Sequence, residues 1–325
     1  KYYELSVKEQ TGSARTIPQL QKLAQRQIQS DLLTMQKLLN NSSSHKNSEA
    51  HSGSVQGTTP GASSDLFKGH GTEFSSDDPV NILNTLQDKI SGSLPKPPKV
   101  SFEIKYVQEA MEEYLSPAFY MIPPIDNSGE NVIYINPGHI SDDLTLFTTL
   151  AHEGYPGHMY QTNYFNQHNT CNLRNVLDFQ GYVEGWGTYA EYYAYTLDHG
   201  MEEQVGELLQ HNAAFTLALY ALLDINIHYE GWDMDQVNDY LTMYFQIDDP
   251  SVISSIYYEV VENPSNYLSY YTGYLEFLNM REEAQQRLGA NFSLLEFNRF
   301  LLDIGPAPFS VIRNYFTQWL INYKS

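Results

Sequence analysis

The stretch Leu150–Gln161 reads LAHEGYPGHMYQ and poses a geometric problem: its histidines, His152 and His158, stand six residues apart. A zinc helix of the HExxH kind places its histidines four apart, ~400° of rotation and nearly one face. Here the fourth position is Pro156, which offers no ligand atom. Six residues are ~600°, so on a regular helix His158 would point ~120° away from His152. Proline removes a helical hydrogen bond and glycine tolerates unusual dihedrals, so Pro156-Gly157 suits a local unwinding. A two-residue insertion that adds no turn brings the two rings back to one side. The sequence therefore predicts an irregular metal helix.

Upstream, Ser141, Asp142 and Asp143 suit a helix start, and Leu144, Phe147, Leu150 and Ala151 continue at helical spacing to His152 and Glu153. A short strand, Val132 to Asn136, precedes that helix and is a candidate for holding a substrate backbone by strand addition. A helix is expected around Tyr106 to Tyr114, after the prolines Pro95, Pro97 and Pro98. Downstream, YVEGWGTYAEYYAYTLDHG predicts a helix ending at Gly200, with Val183, Trp186, Ala190, Tyr193, Ala194 and Leu197 as its apolar stripe. Glu184, Thr188, Glu191 and Tyr195 form another face. The remainder reads as helices with starts near Asp233, Ser265, Ser293 and Ser310.

The N-terminal part divides differently. From Ile17 to Leu39, the residues Leu20, Leu23, Ile28, Leu32, Met35 and Leu39 make one face of a long helix. Asn40 to Ser64 is nearly devoid of large apolar residues and cannot offset the entropy of ordering. The expected organisation is a helical segment over 1–40, a low-complexity loop over 41–78 containing His45, His51 and His70, and a compact unit over 79–325.

Composition excludes several classes. The 325 residues, 42% hydrophobic, can fill a sizeable core. A balance of 18 basic against 39 acidic residues, formally −21, argues against nucleic acid and anionic membrane surfaces as partners. Lone Cys171 excludes an internal disulfide. The longest apolar run, Ala213 to Leu223, is about half of the ~20 residues that cross a bilayer, so no membrane span is expected and the run reads as a buried helix. The opening KYYELSVKEQ has neither an initiating Met nor an apolar leader, and the expectation is a soluble piece of a longer precursor, with a cell-surface or extracellular location left open.

Zinc hydrolysis needs neutral imidazoles, a carboxylate ligand, an open position and a second carboxylate to take a proton from water. Four ordered blocks supply such groups: His152-Glu153 with Pro156, Gly157, His158 and Gln161; Glu184-Gly185-Trp186 with Tyr189, Ala190 and Glu191; Asp224 with Ile227, His228, Gly231 and Trp232; and Tyr270 with Gly273 and Arg281. In these blocks the chain resembles the family DUF885, which belongs with the HExxH-type zinc metallopeptidases, from about Pro95 to the C-terminus. It departs at Tyr220, where the family usually carries an arginine four residues before the aspartate.

The resemblance implies a mainly α, zincin-like metallopeptidase unit with a small β-sheet and an edge strand, forming the catalytic half of a longer chain whose missing N-terminal half contributes to the groove. It implies one Zn2+ held by His152, His158 and the first carboxylate of the second block, Glu184. Glu191, seven residues on and on the same helical face, is the competing ligand; Gly185 and Gly187 beside Glu184 leave room for the metal helix and favour the first. Glu191 would then orient a ligand histidine, and Asp224 and Arg281 would support the site from behind. Glu153 is implied as general base, and Tyr270 or His228 as donor to the oxyanion. The expected activity is hydrolysis of peptide bonds in short peptides. Another amide or ester as substrate, or a peptide-binding protein without turnover, are the rival readings.

Overall fold

Caps and apolar stripes fix the helices in chain order. The computed structural model describes residues 1–45, 78–127, 129–169, 171–197, 203–245, 247 and 249–323. Helix α1, Tyr2–Thr11, ends at Gly12 in the left-handed region (φ 60°), whose N–H bonds the Lys8 carbonyl. Helix α2, Ile17–His45, buries Leu20, Ala24 and Ile28, as its stripe requires. It runs five residues into the loop expected from 41; the rest of that loop, with His51 and His70, lies outside the described residues. Asp78 caps α3, Pro79–Lys89, by accepting the Asn81 N–H, with Pro79 at the first helical position.

Three strands follow: β1, Phe102–Tyr106; β2, Ala118–Met121; and β3, Asn131–Ile135. The sheet order is β1-β3-β2, with β3 parallel to β1 and antiparallel to β2. The expected helix from Tyr106 is therefore corrected: Tyr106 closes a strand, and only Glu109–Tyr114 coils, as a 3-10 helix. Strand addition on β3 is also excluded, because both of its edges are already paired.

Helix α4, Asp143–Glu153, starts at Asp142, whose carboxylate accepts the Thr145 N–H at 2.8 Å, as the sequence predicts. Then come α5, His158–His168; α6, Gln180–Ala194; α7, Glu203–His228; α8, Met234–Phe245; α9, Pro250–Glu262; α10, Asn266–Leu288; α11, Leu294–Ile304; and α12, Phe309–Tyr323. The starts expected near Asp233, Ser265, Ser293 and Ser310 match α8, α10, α11 and α12. Helix α9 went unpredicted, although Asp249 caps it and Pro250 opens it. Helix α6 stops at Ala194, short of the expected Gly200, which lies outside the described residues.

Two cores organise these helices. One joins α3, the sheet, α4, α5, α6, α11 and α12 around Trp186 and Phe277. The other joins α1 and α2 to α7, α8, α9 and α10: Tyr3, Val7, Leu20 and Ile28 meet Leu219, Leu222, Ile225 and Val260. The segment 1–40 is thus built into this second core. Helix α7 is long and apolar enough to cross a membrane, but it turns much of the predicted run, Ala213 to Leu223, into the protein, burying Ala214, Ala218, Leu219 and Ala221 to Leu223. Helices α6 and α10 make the tightest crossing, where a Cβ on Gly185 would come within 2.4 Å of the Gly273 carbonyl carbon. That crossing carries α10 through both cores, with Tyr271 facing one and Phe277 the other.

Asp224 is fully buried in the second core, where it accepts hydrogen bonds from the Tyr3 hydroxyl at 2.6 Å and the Ser265 N–H at 3.1 Å. Tyr220, the family departure, packs against Tyr267 with ring centroids 4.6 Å apart and planes tilted by 43°, and neutral donors serve Asp224. Burial pushes the Asp224 carboxyl up to about 6, against the opposing pull of Tyr3, Ser265 and His228. A raised carboxyl favours the folded state while protonated, so its contribution is present near pH 4 and is lost as pH rises through about 6. Asp224→Asn should remove that dependence: the melting temperature of the variant relative to the native chain should climb between pH 4 and pH 7, measured by calorimetry in matched buffers. A difference independent of pH would refute the assignment.

Candidate metal centre

Helix α4 ends because Gly154, whose N–H still bonds Leu150, sends the chain into a tight loop through a cis Tyr155–Pro156 bond. Helix α5 restarts at His158. The loop is closed by the Tyr160 N–H, which bonds the Gly154 carbonyl at 3.1 Å, six residues back where a helix would use four. The expectation of two extra residues is met, but as a break between two helices and not as a bulge within one. Gly157 is required there: a Cβ would lie 1.6 Å from the His152 carbonyl oxygen. Trp186, fully buried on α6, holds the loop by donating its indole N–H to the Pro156 carbonyl at 2.9 Å.

The loop sets the His152 and His158 rings edge to face, with centroids 4.7 Å apart. Both Nε2 atoms face one carboxylate oxygen, Glu184 Oε2, at 3.7 Å from His152 and 3.5 Å from His158. Those separations exceed an ordinary hydrogen bond of about 2.9 Å. In a tetrahedral site with bonds of about 2.0–2.1 Å, neighbouring donors stand about 3.3–3.4 Å apart. Two imidazole nitrogens and one carboxylate oxygen thus stand at a spacing compatible with a tetrahedral cation such as zinc. The side chains of His152, His158 and Glu184 are 12%, 12% and 18% exposed, so the cluster is largely buried.

Glu191 lies two turns further along the same face of α6 and takes the other nitrogen of His152, Nδ1, at 3.0 Å. It orients the ring, as the sequence expects, and Glu184 is the carboxylate between the histidines. Gly187 makes room for the His152 ring, since a Cβ would come within 2.5 Å of Nε2. Gly185 does not serve the metal helix; its space is taken by α10. The charges are mutually supporting. Burial disfavours a charged His152, but Glu184, Glu191 and Glu153 outweigh it and hold its pKa well above the ordinary range. Burial likewise opposes ionisation of Glu184, but His152 and His158 pull its carboxyl far below the ordinary range.

Glu153 also lies within 4.8 Å of the histidine nitrogens, so the geometry offers a second carboxylate beside the first. Its role differs because its Oε2 accepts the Tyr120 N–H at 2.8 Å, which holds it against the outer edge of β2. Tyr120 escaped the sequence reading. It contributes a backbone donor, for which no side-chain pattern exists, and only the β2 strand itself could have signalled it. Tyr270 joins the group from α10: its ring centroid is 6.2 Å from that of His152, and its hydroxyl lies within the influence of the Glu184 carboxylate. Burial, then the Glu184 charge and hydrogen bond, push that hydroxyl upward, so it remains a donor.

Three predicted residues are not brought together with these. His228 bonds the Val260 carbonyl through Nε2 at 2.9 Å and packs 5.5 Å from Tyr3, in the second core. The proximity to Asp224 one turn earlier is electrostatic only, because Asp224 is already bonded to Tyr3 and Ser265. Arg281 reaches Tyr189, not the histidines. Among the remaining histidines, His211 pairs with buried Asp31 at 2.8 Å and His168 bonds the Tyr164 carbonyl, both structural roles.

Known structures share the fold. One described as "the putative lipoprotein from Colwellia psychrerythraea" superposes with a TM-score of 0.78 at 22% identity, over 99% of this chain and 55% of that one. Another, "a putative lipoprotein of unknown function from Shewanella oneidensis", gives 0.75 at 19% identity, over 97% of this chain and 59% of that one. The chain thus spans a little over half the length of either. No curated protein matches it. The family model described as "Bacterial protein of unknown function (DUF885)" matches residues 1–315, so the likeness begins at the first helix and not near Pro95. With that extent of match, the chain belongs to the DUF885 family.

Proposed function

We propose that the protein is a zinc-dependent peptidase acting on short peptides. The observation that carries this reading is the convergence of His152 Nε2 and His158 Nε2 on one Glu184 oxygen at tetrahedral spacing, with Glu153 beside it. A zinc ion held by His152, His158 and Glu184 would supply Lewis acidity and lower the pKa of water next to it. Glu153 takes a proton from the attacking water and returns it to the leaving nitrogen as the carbon–nitrogen bond breaks. The Tyr120 N–H keeps that carboxylate in place through the transfer. Tyr270 donates to the carbonyl oxygen as negative charge develops on it. Glu191 fixes the tautomer of His152 by accepting from Nδ1, leaving Nε2 free as a ligand.

A zincin-type relationship and a groove completed by further sequence, as in the longer similar structures, belong to the same proposal. A cell-surface location is supported by the description of both of those structures as lipoproteins.

Glu153→Gln should retain metal and lose turnover by about 10²–10⁴-fold, because the amide keeps the shape but cannot accept the proton. Digestion of a peptide library followed by mass spectrometry, with metal content measured in parallel, checks both halves. Cleavage of only non-peptide amides or esters would shift the substrate class, and zinc-bound chain with no turnover of any kind would favour a binding protein.

Glu184→Ala should abolish zinc binding, whereas Glu191→Ala should weaken it about 10–100-fold, as losses behind the ligands typically do. Zinc titration of both variants measures the difference. If Glu191→Ala proves the metal-free variant, the ligand assignment is reversed.

A further inference from the structure

Arg281 lies eleven residues past Tyr270 on α10, at the far end of the α6 crossing. Its Nη1 stands 3.4 Å from the Tyr189 hydroxyl and its Cζ 5.7 Å from the Tyr189 ring centre. Its Nε is buried and has no hydrogen bond among the described residues. Other arginines of this chain find carboxylates: Arg15 and Arg313 both pair with buried Glu276, at 2.8 and 3.2 Å. No carboxylate among the described residues comes within ion-pair distance of Arg281. A half-buried guanidinium fork without an anion is an unusual thing for a chain of formal charge −21 to keep.

The space beside it explains the arrangement. Arg281 lines a cavity of about 280 Å³ with Tyr189, Tyr192, Tyr193, Tyr274, Leu278 and Phe292. That is near the lower end of ligand-pocket sizes, about 300–1,000 Å³, and suits a molecule of amino-acid size. Tyr189, Tyr192 and Tyr274 are almost wholly buried and wall this cavity. Among the described residues, the lining holds one cation, several neutral donors, aromatic and aliphatic walls, and no acid.

We propose that this cavity binds a small carboxylate carrying an aromatic or branched aliphatic body, with Arg281 gripping the carboxylate and the tyrosyl hydroxyls completing its hydrogen bonds. The planar fork of a guanidinium matches a carboxylate in bidentate fashion. A phosphate dianion is a poorer match, because the lining contains a single base. The site is separate from the His152–His158–Glu184 cluster and stands independently of the proposed peptidase activity.

The test is calorimetric titration of the full chain, in buffer with chelator, using sodium 3-phenylpropanoate, its uncharged amide and sodium phosphate. The acid should bind with a Kd of about 1 mM or tighter, and the amide and phosphate at least tenfold more weakly. Arg281→Lys, which keeps the charge but loses the fork, should weaken the acid roughly tenfold, while Glu184→Ala should leave its affinity unchanged. Equal binding of acid and amide, equal binding of phosphate, unaltered affinity in Arg281→Lys, or no heat from the acid would each overturn the proposal and leave Arg281 as a side chain merely stacked on Tyr189. Loss of acid binding in Glu184→Ala would place the ligand at the histidine cluster and overturn it equally. Should the arginine variant fail to fold, the comparison of acid with amide on the unaltered chain still decides.

Discussion

The hydrogen bond from the Tyr160 N–H to the Gly154 carbonyl sets the geometry of the site, because it closes a six-residue loop where a helix would close four. Without it His158 would face ~120° away from His152. The loop is possible only because Gly157 lets the backbone press against the His152 carbonyl, and because Trp186 satisfies the carbonyl of buried Pro156 from the neighbouring helix. The same helix that steadies the loop carries Glu184 and Glu191. Loop position and carboxylate position are therefore set by one rigid element, and the two histidines cannot drift relative to their acidic partners without disturbing a buried tryptophan.

Three carboxylates around two imidazoles would repel one another if nothing positive lay between them. Glu184 and Glu191 flank opposite nitrogens of His152, and Glu153 adds its field, which is why that imidazole resists losing its proton despite burial. The cluster is thus an arrangement of acidic groups that favours positive charge at its centre. Since the proton and a metal ion would occupy the same nitrogens, cation affinity should grow as pH rises.

The His152–His158 motif was legible in the sequence because its geometry is local. His152 and Glu153 follow a capped helix, and the Pro-Gly pair announces the break that His158 needs. The helix starts at Asp142, Ser265 and Ser293 were readable for the same reason, each being a side chain that caps its own helix or stands at its first turn. His228 was misplaced because the sequence shows that it follows Asp224 by one turn but not that Tyr3, from the other end of the chain, would fill the intervening space. The strand at Tyr106 was lost to the same blindness, since its pairing with β3 is a contact between residues far apart in sequence. Gly185 shows the limit most simply: its smallness was visible, but whether it admits a metal helix or α10 is decided by the partner.

Strand β2 has a consequence for how the molecule behaves among copies of itself. Its pairing with β3 leaves only Ala118 and Tyr120 with backbone groups directed outward, and the Tyr120 N–H is already committed to Glu153. A foreign strand approaching that edge would find a four-residue ledge with at most one free donor, too little to template an extended sheet. The carboxylate that anchors to the edge thereby blunts it, and a sheet margin left open beside the site is protected from edge-to-edge self-association.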